Sequence, residues 1–177
     1  MKSWEHQSKD GRQITVRHAT VSDARDMYTG FKQVIEEGEW FPTFSPASST
    51  ADWVSWIHKT ARSRDILLAA HVDNEFAGHL TLQPEEWMAS EHVAKLGVLV
   101  IKPLRSIGVG RALMISAEEA GKVSGYEKFI LSTFVNNEPA ISLYKSLGYS
   151  TIGTRSRHFK MPNGYIDEVL MEKTIDE

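Results

Sequence analysis

Residues 94–122 read AKLGVLVIKPLRSIGVGRALMISAEEAGK, and the order of features in this stretch decides the fold. Residues 96–101 form an apolar run rich in Val and Ile, which reads as a buried strand ended by Pro103. Arg105, Ser106, Ile107, Gly108, Val109 and Gly110 follow, and a helical pattern begins at once. Val109, Ala112, Leu113, Ala117 and Ala120 recur at three- and four-residue spacing, leaving Glu118, Glu119 and Lys122 for solvent. The first turn of a helix presents unpaired N–H groups and the positive end of its dipole, so such a loop suits an anion such as a pyrophosphate. Gly108 and Gly110 remove side chains that would hold a phosphate away, and Arg105 and Arg111 add positive charge. Taken alone, the stretch also fits a tight strand-to-helix turn that binds nothing.

Two familiar phosphate loops do not match. A Walker A loop requires Lys-Ser/Thr after its last glycine, whereas Gly110 is followed by Arg111 and Ala112. A dinucleotide fingerprint requires a small residue three positions after its second glycine, and that position is Leu113. The segment instead resembles the acyl-CoA-binding motif of the GNAT (GCN5-related) N-acetyltransferase superfamily, Arg/Gln-x-x-Gly-x-Gly/Ala, with Arg105, Gly108 and Gly110 in its positions. Residues 135–153, VNNEPAISLYKSLGYSTIG, are similar to a second motif of that family, Asn-x-x-Ala-x-x-Leu-Tyr-x-x-x-Gly-Phe/Tyr. Asn137, Ala140, Leu143, Tyr144, Gly148 and Tyr149 fall on its positions. Two motifs in the right order, with a strand between them, are far more specific than either alone. The resemblance covers essentially the whole chain and is weakest before Asp65.

The composition is consistent with this. With 177 residues, 41% hydrophobic and 24% charged, the chain is sized for a single domain with an ordinary core. A net charge of -3 gives nucleic-acid binding no electrostatic support. The absence of cysteine excludes disulfides, thiolate metal sites and a Cys nucleophile. No apolar run approaches the roughly 20 residues that span a membrane, and the polar start MKSWEHQSKD is unlike a signal peptide, so a cytoplasmic location is expected.

Outward from the central stretch, residues 1–10 offer only Trp4 to pack and are expected to be flexible, with one domain over residues 11–177. Residues 13–18 alternate Ile14 and Val16 with polar neighbours as a first strand. Thr20 or Ser22 caps a helix ending near Gly38, and a second helix runs from about Ser49 or Thr50 to Arg62. Asp73-Asn74 joins two strands in a hairpin. Another strand starts near Glu91, and Gly125 stops the central helix. Residues 128–135 form a strand, and Asn137 opens a short helix that tolerates Pro139 in its first turn. Residues 149–158 and 165–171 are strands joined by the turn at 161–164. The pattern gives an α/β (α+β) fold, with a mixed, mostly antiparallel sheet flanked by about four helices.

The resemblance implies acetyl transfer from acetyl-CoA to an amine by direct attack in a ternary complex. The acceptor would be a small molecule of the amino-acid, polyamine or antibiotic class. Protein or peptide N-termini, and a non-catalytic acyl-CoA-binding or sensing module, stand as alternatives. It implies that Val98, Leu99 and Val100 splay from the strand at 128–135 to admit a pantetheine arm. A backbone N–H near Leu99 or Val100 would polarise the acetyl carbonyl. The loop from Arg105 through Ser106, Ile107, Gly108, Val109 and Gly110 to Arg111 would take the pyrophosphate, with Asn137 and Ala140 along the arm. Tyr144 is the candidate general acid, because a phenol of pKa about 10 is protonated at neutral pH; periodicity alone also fits a core tyrosine on the helix's inward stripe. Glu91, His92 and Glu39 are the candidate bases, with a water or solvent base as an alternative, since no carboxylate lies between Glu91 and the loop. Residues 39–49, with Trp40, Phe41 and Phe44 beside Glu36, Glu37 and Glu39, would wall the acceptor site and suit an apolar or cationic amine, or else form a loop pinned by aromatics. Asp167, Glu168, His158 and Tyr165 are further candidates to border that site or simply to charge an edge strand. His71 and His79 read as ordinary strand residues, and no metal is expected. A homodimer is compatible with the aromatic content between Trp40 and Trp56.

Overall fold

A computed structural model describes residues 2–44 and 48–175. The notable aromatic stretch at 39–49 is thus only partly described, since Ser45, Pro46 and Ala47 lie outside those residues. In chain order the elements are β1 (Ser3–Gln7), β2 (Gln13–His18), α1 (Ala24–Glu36), α2 (Thr50–Thr60), β3 (Ile66–Val72), β4 (Glu75–Pro84), β5 (Val93–Val100), α3 (Val109–Val123), β6 (Lys128–Phe134), α4 (Glu138–Ser146), β7 (Ser150–Met161) and β8 (Gly164–Thr174). The strands form one eight-stranded sheet ordered β1-β2-β3-β4-β5-β6-β8-β7. Among the described residues only the β5–β6 pair is parallel.

Local chemistry explains the joints. Asp73 and Asn74 both take positive φ, 49° and 70°, as a two-residue turn matched to strand twist requires. Ser49 and Asp52 form a reciprocal capping box that starts α2. Gly108 precedes α3 at φ 114°, where a side chain would be strained, so the loop enters the helix through a conformation that favours glycine.

Helices cover both faces of the sheet. On one face α3 buries Ala112, Leu113, Met114 and Ala117 against Ile14, Leu68, Leu80, Leu82 and Phe129. On the other, α1 and α2 enclose Ala24, Met27, Trp53, Ile57 and Leu67. Gly30 lets α1 come close, because a Cβ there would sit 2.8 Å from the Phe76 ring. Phe129 is fully buried, so truncation to Ala is expected to cost about 3–5 kcal/mol.

The expectation of a flexible segment over residues 1–10 is corrected for β1. Ser3–Gln7 pairs with β2, Trp4 is buried, and its Nε1 donates to the Glu119 carboxylate at 2.8 Å. A polar sequence with one aromatic still makes a strand when that aromatic has a core to enter and the sheet has an open edge.

Candidate active site

β5 and β6 begin as neighbours and then part. Their pairing is confined to Val93, Ala94 and Lys95 opposite Lys128, Phe129 and Ile130. Beyond that point β5 stays with β4, and β6 runs on beside β8 as far as Phe134. The edges that face each other therefore carry main-chain N–H and C=O groups with no strand to bond, a condition that invites an extended ligand. A groove of about 690 Å³ fills the gap. Leu96, Gly97, Val98, Leu99 and Val100 form one wall. Ser132, Thr133, Phe134, Asn137, Ala140, Leu143 and Tyr144 form the other.

At one end the groove opens onto the loop before α3, where Ser106, Gly108, Gly110 and Arg111 line it. A Cβ on Gly110 would lie 3.2 Å from Leu143 Cδ2 and 3.8 Å from Val100 Cγ2, so this glycine keeps the passage open. Ser106 also has positive φ, 66°, a second left-handed residue in the loop. Val109 is buried at 1% exposed, and Ile107 is half-buried against the same core.

Arg105 differs from a free loop cation. Its Nε donates to the Val100 carbonyl at 2.9 Å, and its two terminal nitrogens donate to the Glu37 carboxylate at 2.6 and 2.8 Å. It lines the groove, but its donors brace the end of β5 against the end of α1. Arg111 donates to Ser146 Oγ at 2.5 Å and ties α3 to α4. Lys9 is a cation that sequence reasoning did not select. It lines the groove, its backbone N–H donates to Ile107 O at 2.8 Å, and it joins no ion pair among the described residues.

Asn137 caps α4: its Oδ1 accepts from Ala140 N at 3.3 Å and its Nδ2 donates to Thr133 Oγ1 at 3.1 Å. Tyr144 is the buried residue of α4, and burial pushes its phenol up to about 12, so it carries its proton at any physiological pH.

A second cavity, about 400 Å³, lies on the other side of β5 under α2. Gly97, Val98, Leu99 and Phe41 line both cavities, so β5 is the partition between them. Its remaining walls are Phe31, Trp53, Trp56, Ser48, Asp52, His79 and Thr81. The aromatic rings interlock: Phe31 meets Phe41 and Trp53 edge-on at 5.5 Å, and Trp53 meets Trp56 and His79 at 5.2 Å. Gly97 sits opposite Thr81 in the β4–β5 register, and a Cβ there would approach Thr81 Oγ1 to 3.1 Å.

His79 was the least expected member. It is 6% exposed, its Nδ1 is sealed without a hydrogen-bond partner, and burial pushes its pKa down to about 4. It pairs with Leu99 across the strands, so both side chains emerge on the pocket face. Asp52 is the pocket's carboxylate, held below the usual range by the Ser49 hydroxyl and then by the Ser49 backbone N–H.

The candidate bases are elsewhere. Glu91 faces Arg64 at 3.7 Å and His92 is exposed, both at the start of β5, about 25 Å of extended chain from Leu99. Glu39 is exposed and lines neither cavity. None of the three lines either cavity. The acidic cluster near the end of α1 is likewise spent elsewhere, Glu37 on Arg105 and Glu36 beside Lys32 at 3.7 Å. In the β7–β8 hairpin, buried Glu168 accepts from Arg155 at 2.9 Å and lies 3.3 Å from His158. The Asp167 carboxylate accepts the Arg157 N–H at 2.6 Å, and Arg157 covers the Tyr165 ring at 4.2 Å. Of this hairpin it is Phe159 that reaches the groove. Among the described residues no group of three or more His, Asp or Glu is placed to hold a metal ion, and no helix is long and apolar enough to cross a membrane.

Comparison with known proteins agrees with this geometry. The family model described as Acetyltransferase (GNAT) family matches residues 32–149. The L-amino acid N-acetyltransferase AaaT of Escherichia coli (strain K12) is 28% identical over 163 residues, spanning 91% of this chain and 98% of that protein. An acetyltransferase of the GNAT family from Streptococcus pneumoniae superposes with a TM-score of 0.85 at 23% identity, covering 92% of this chain and 99% of the other. The structure of yncA, a putative acetyltransferase from Salmonella typhimurium with its cofactor acetyl-CoA, gives a TM-score of 0.86 at 15% identity, over 93% and 95% of the two chains.

Proposed function

The chain belongs to the GNAT acetyltransferase family and is an acyl-CoA-dependent N-acetyltransferase, and from that premise we propose that it acetylates the amine of a small molecule with an apolar body, of the amino-acid kind. The observation that carries the reading is the partition at β5. A groove with unpaired main chain on its walls and a glycine-lined helix start at its end backs onto a separate aromatic pocket, and residues 97–99 touch both. The groove fits acetyl-CoA on its own geometry: Gly108 and Gly110 leave the α3 N–H groups approachable, and the unpaired edge of β5 offers an extended arm its hydrogen bonds. The Salmonella structure's acetyl-CoA and the activity in the name of the E. coli protein support the donor and the acceptor class.

Acetyl-CoA supplies the acetyl group already activated as a thioester. What remains for the protein is positioning and proton management, and bringing two reactants together can supply a large part of the rate. Main-chain N–H groups near Leu99 and Val100 polarise the acetyl carbonyl. Ser106, Gly108, Gly110 and Arg111 hold the phosphates, with the Lys9 ammonium beside them. Arg105 keeps the loop at its height above β5 through Glu37. Asn137 and Ala140 flank the arm, and Tyr144 gives its proton to the departing sulfur. Val98 and Leu99 present the acetyl group to the pocket, whose aromatic rings hold the body of the amine.

The test is thermal unfolding with and without acetyl-CoA, followed by thiol release with L-phenylalanine, spermidine and a short peptide as acceptors. Acetyl-CoA at about a hundred times its Kd should stabilise the fold by about 2.7 kcal/mol. Thiol release should be fastest with L-phenylalanine. Stabilisation without thiol release from any acceptor would favour a binding or sensing module instead, and no stabilisation would remove the reading.

A further inference from the structure

The acceptor pocket holds a group that its stability does not explain. Native proteins pair their buried polar atoms, and an unpaired one is costly. His79 Nδ1 is sealed and unpaired, although the ring is packed against Trp53 at 5.2 Å and Phe76 at 6.5 Å. With Nδ1 shut off, a ligand reaches this ring through Nε2. Leucine or methionine would fill such an aromatic niche without the penalty.

Position says what the imidazole is for. His79 lies opposite Leu99 on the pocket face of the sheet, at the place where β5 separates the two cavities. Asp52 is the other ionisable residue lining the pocket; it is exposed, and its Oδ2 accepts from the Ser49 hydroxyl and backbone N–H at 2.7 Å each, whereas His79 is buried opposite Leu99. Resting on the acetyl-transfer reading above, we infer that His79 is a catalytic residue: it receives the hydrogen of the attacking amine.

The step balances. The nitrogen of a neutral primary amine bonds to the acetyl carbonyl carbon, and the carbon–sulfur bond breaks. One N–H hydrogen passes to the imidazole, and the sulfur takes the Tyr144 hydroxyl hydrogen, giving an amide and a thiol. The imidazolium and the phenolate then return to neutral by proton exchange through water. As the carbon–nitrogen bond forms, the nitrogen becomes positive and strongly acidic, so a weakly basic ring suffices. Burial keeps that ring neutral, with a lone pair available, throughout the physiological range.

The experiment compares wild type with His79→Leu and His79→Gln, using L-phenylalanine as acceptor. The Leu variant should lose about a hundredfold in kcat, keep its acetyl-CoA KM within about twofold, and melt at the same temperature as wild type or higher, because an unpaired polar atom has been removed. The Gln variant still accepts a hydrogen bond but cannot take the proton, so its KM for L-phenylalanine should stay near wild type while kcat falls. Unchanged kcat in both variants would overturn the inference, and so would a loss of kcat matched by a lower melting temperature in both, which marks a structural histidine. A readout independent of turnover is the imidazole ¹⁵N signal that the Leu variant lacks. In CoA-saturated wild type it should move when L-phenylalanine is added, and a signal that stays still would also overturn the inference. A signal that moves in an enzyme releasing no thiol would support the contact at His79 and count against the acetyl-transfer reading.

Discussion

The groove between β5 and β6 and the pocket under α2 share residues 97–99 as a wall, yet they are made of different material. The groove is defined by main chain: two strands that stop pairing after Lys95 and Ile130, a left-handed Gly108, and a Gly110 at which a Cβ would already crowd Leu143 at 3.2 Å. The pocket is defined by side chains, Phe31, Phe41, Trp53, Trp56 and His79, brought from two helices, a loop and β4. The difference follows from the ligands assigned to each. A donor common to a whole family can be held by peptide groups that any sequence supplies, whereas the acceptor must be chosen by side chains.

If that contrast holds, damage to the groove should abolish binding, and damage to the pocket should retune catalysis and specificity. Gly110→Trp places a bulky ring against Leu143 and Val100, and should lower acetyl-CoA affinity by more than about a hundredfold, erasing the roughly 2.7 kcal/mol of thermal stabilisation. Gly153→Ala, where a Cβ meets nothing within 4 Å, is the matched control and should keep it. Stability against pH probes the pocket next. His79 is depressed to about 4 from 6.5, so between those values the unfolded chain binds more protons than the folded one. Wild type should therefore lose about 3 kcal/mol relative to His79→Leu as pH falls from about 6.5 to about 4, and nothing above that window. Denaturant melts of the two proteins across the range measure this directly, and the comparison cancels Asp52 and every other shared group.

Smaller effects separate the two cavities more finely. Tyr144→Phe removes the hydroxyl proposed above as proton donor while preserving the groove's shape, and should cut kcat about a hundredfold with acetyl-CoA binding unchanged. Trp56 is half-buried at the pocket rim, so Trp56→Ala should raise KM for L-phenylalanine about tenfold and leave KM for acetyl-CoA alone. A parallel rise in both constants would show that the cavities are not independent.

The same contrast explains what could be read in advance. The strand at 93–100, the Gly108–Gly110 turn and the α4 motif all declare themselves over short spans, through apolar runs, glycines at fixed spacing and a first-turn proline. The mostly antiparallel sheet followed from hairpin signals such as Asp73-Asn74. What escaped depends on residues far apart in the chain. The brace from Arg105 to Glu37 was hidden because the two residues lie 68 positions apart. His79 looked like an ordinary strand residue because the aromatics of α2 and the register with Leu99 exist only after folding. Glu91 and His92 were drawn by type, yet the rise of a β-strand carries them well away from Leu99, where β5 borders both cavities. β1 was missed because five polar-looking residues gave one apolar cue, Trp4, and an edge strand needs little more. One signal for His79 was present: a histidine set between Ala77 and Leu80 in a largely apolar strand.

The central claim is that the unpaired edges of β5 and β6 are the donor site, and amide hydrogen exchange with and without acetyl-CoA tests it most directly. Acetyl-CoA should slow exchange in residues 96–100 and 106–111, where free N–H groups gain a partner, and leave β2 and β3 unchanged. Binding that leaves residues 96–100 and 106–111 exchanging as fast as before would contradict the account, because the ligand would then lie outside the gap where the two strands part.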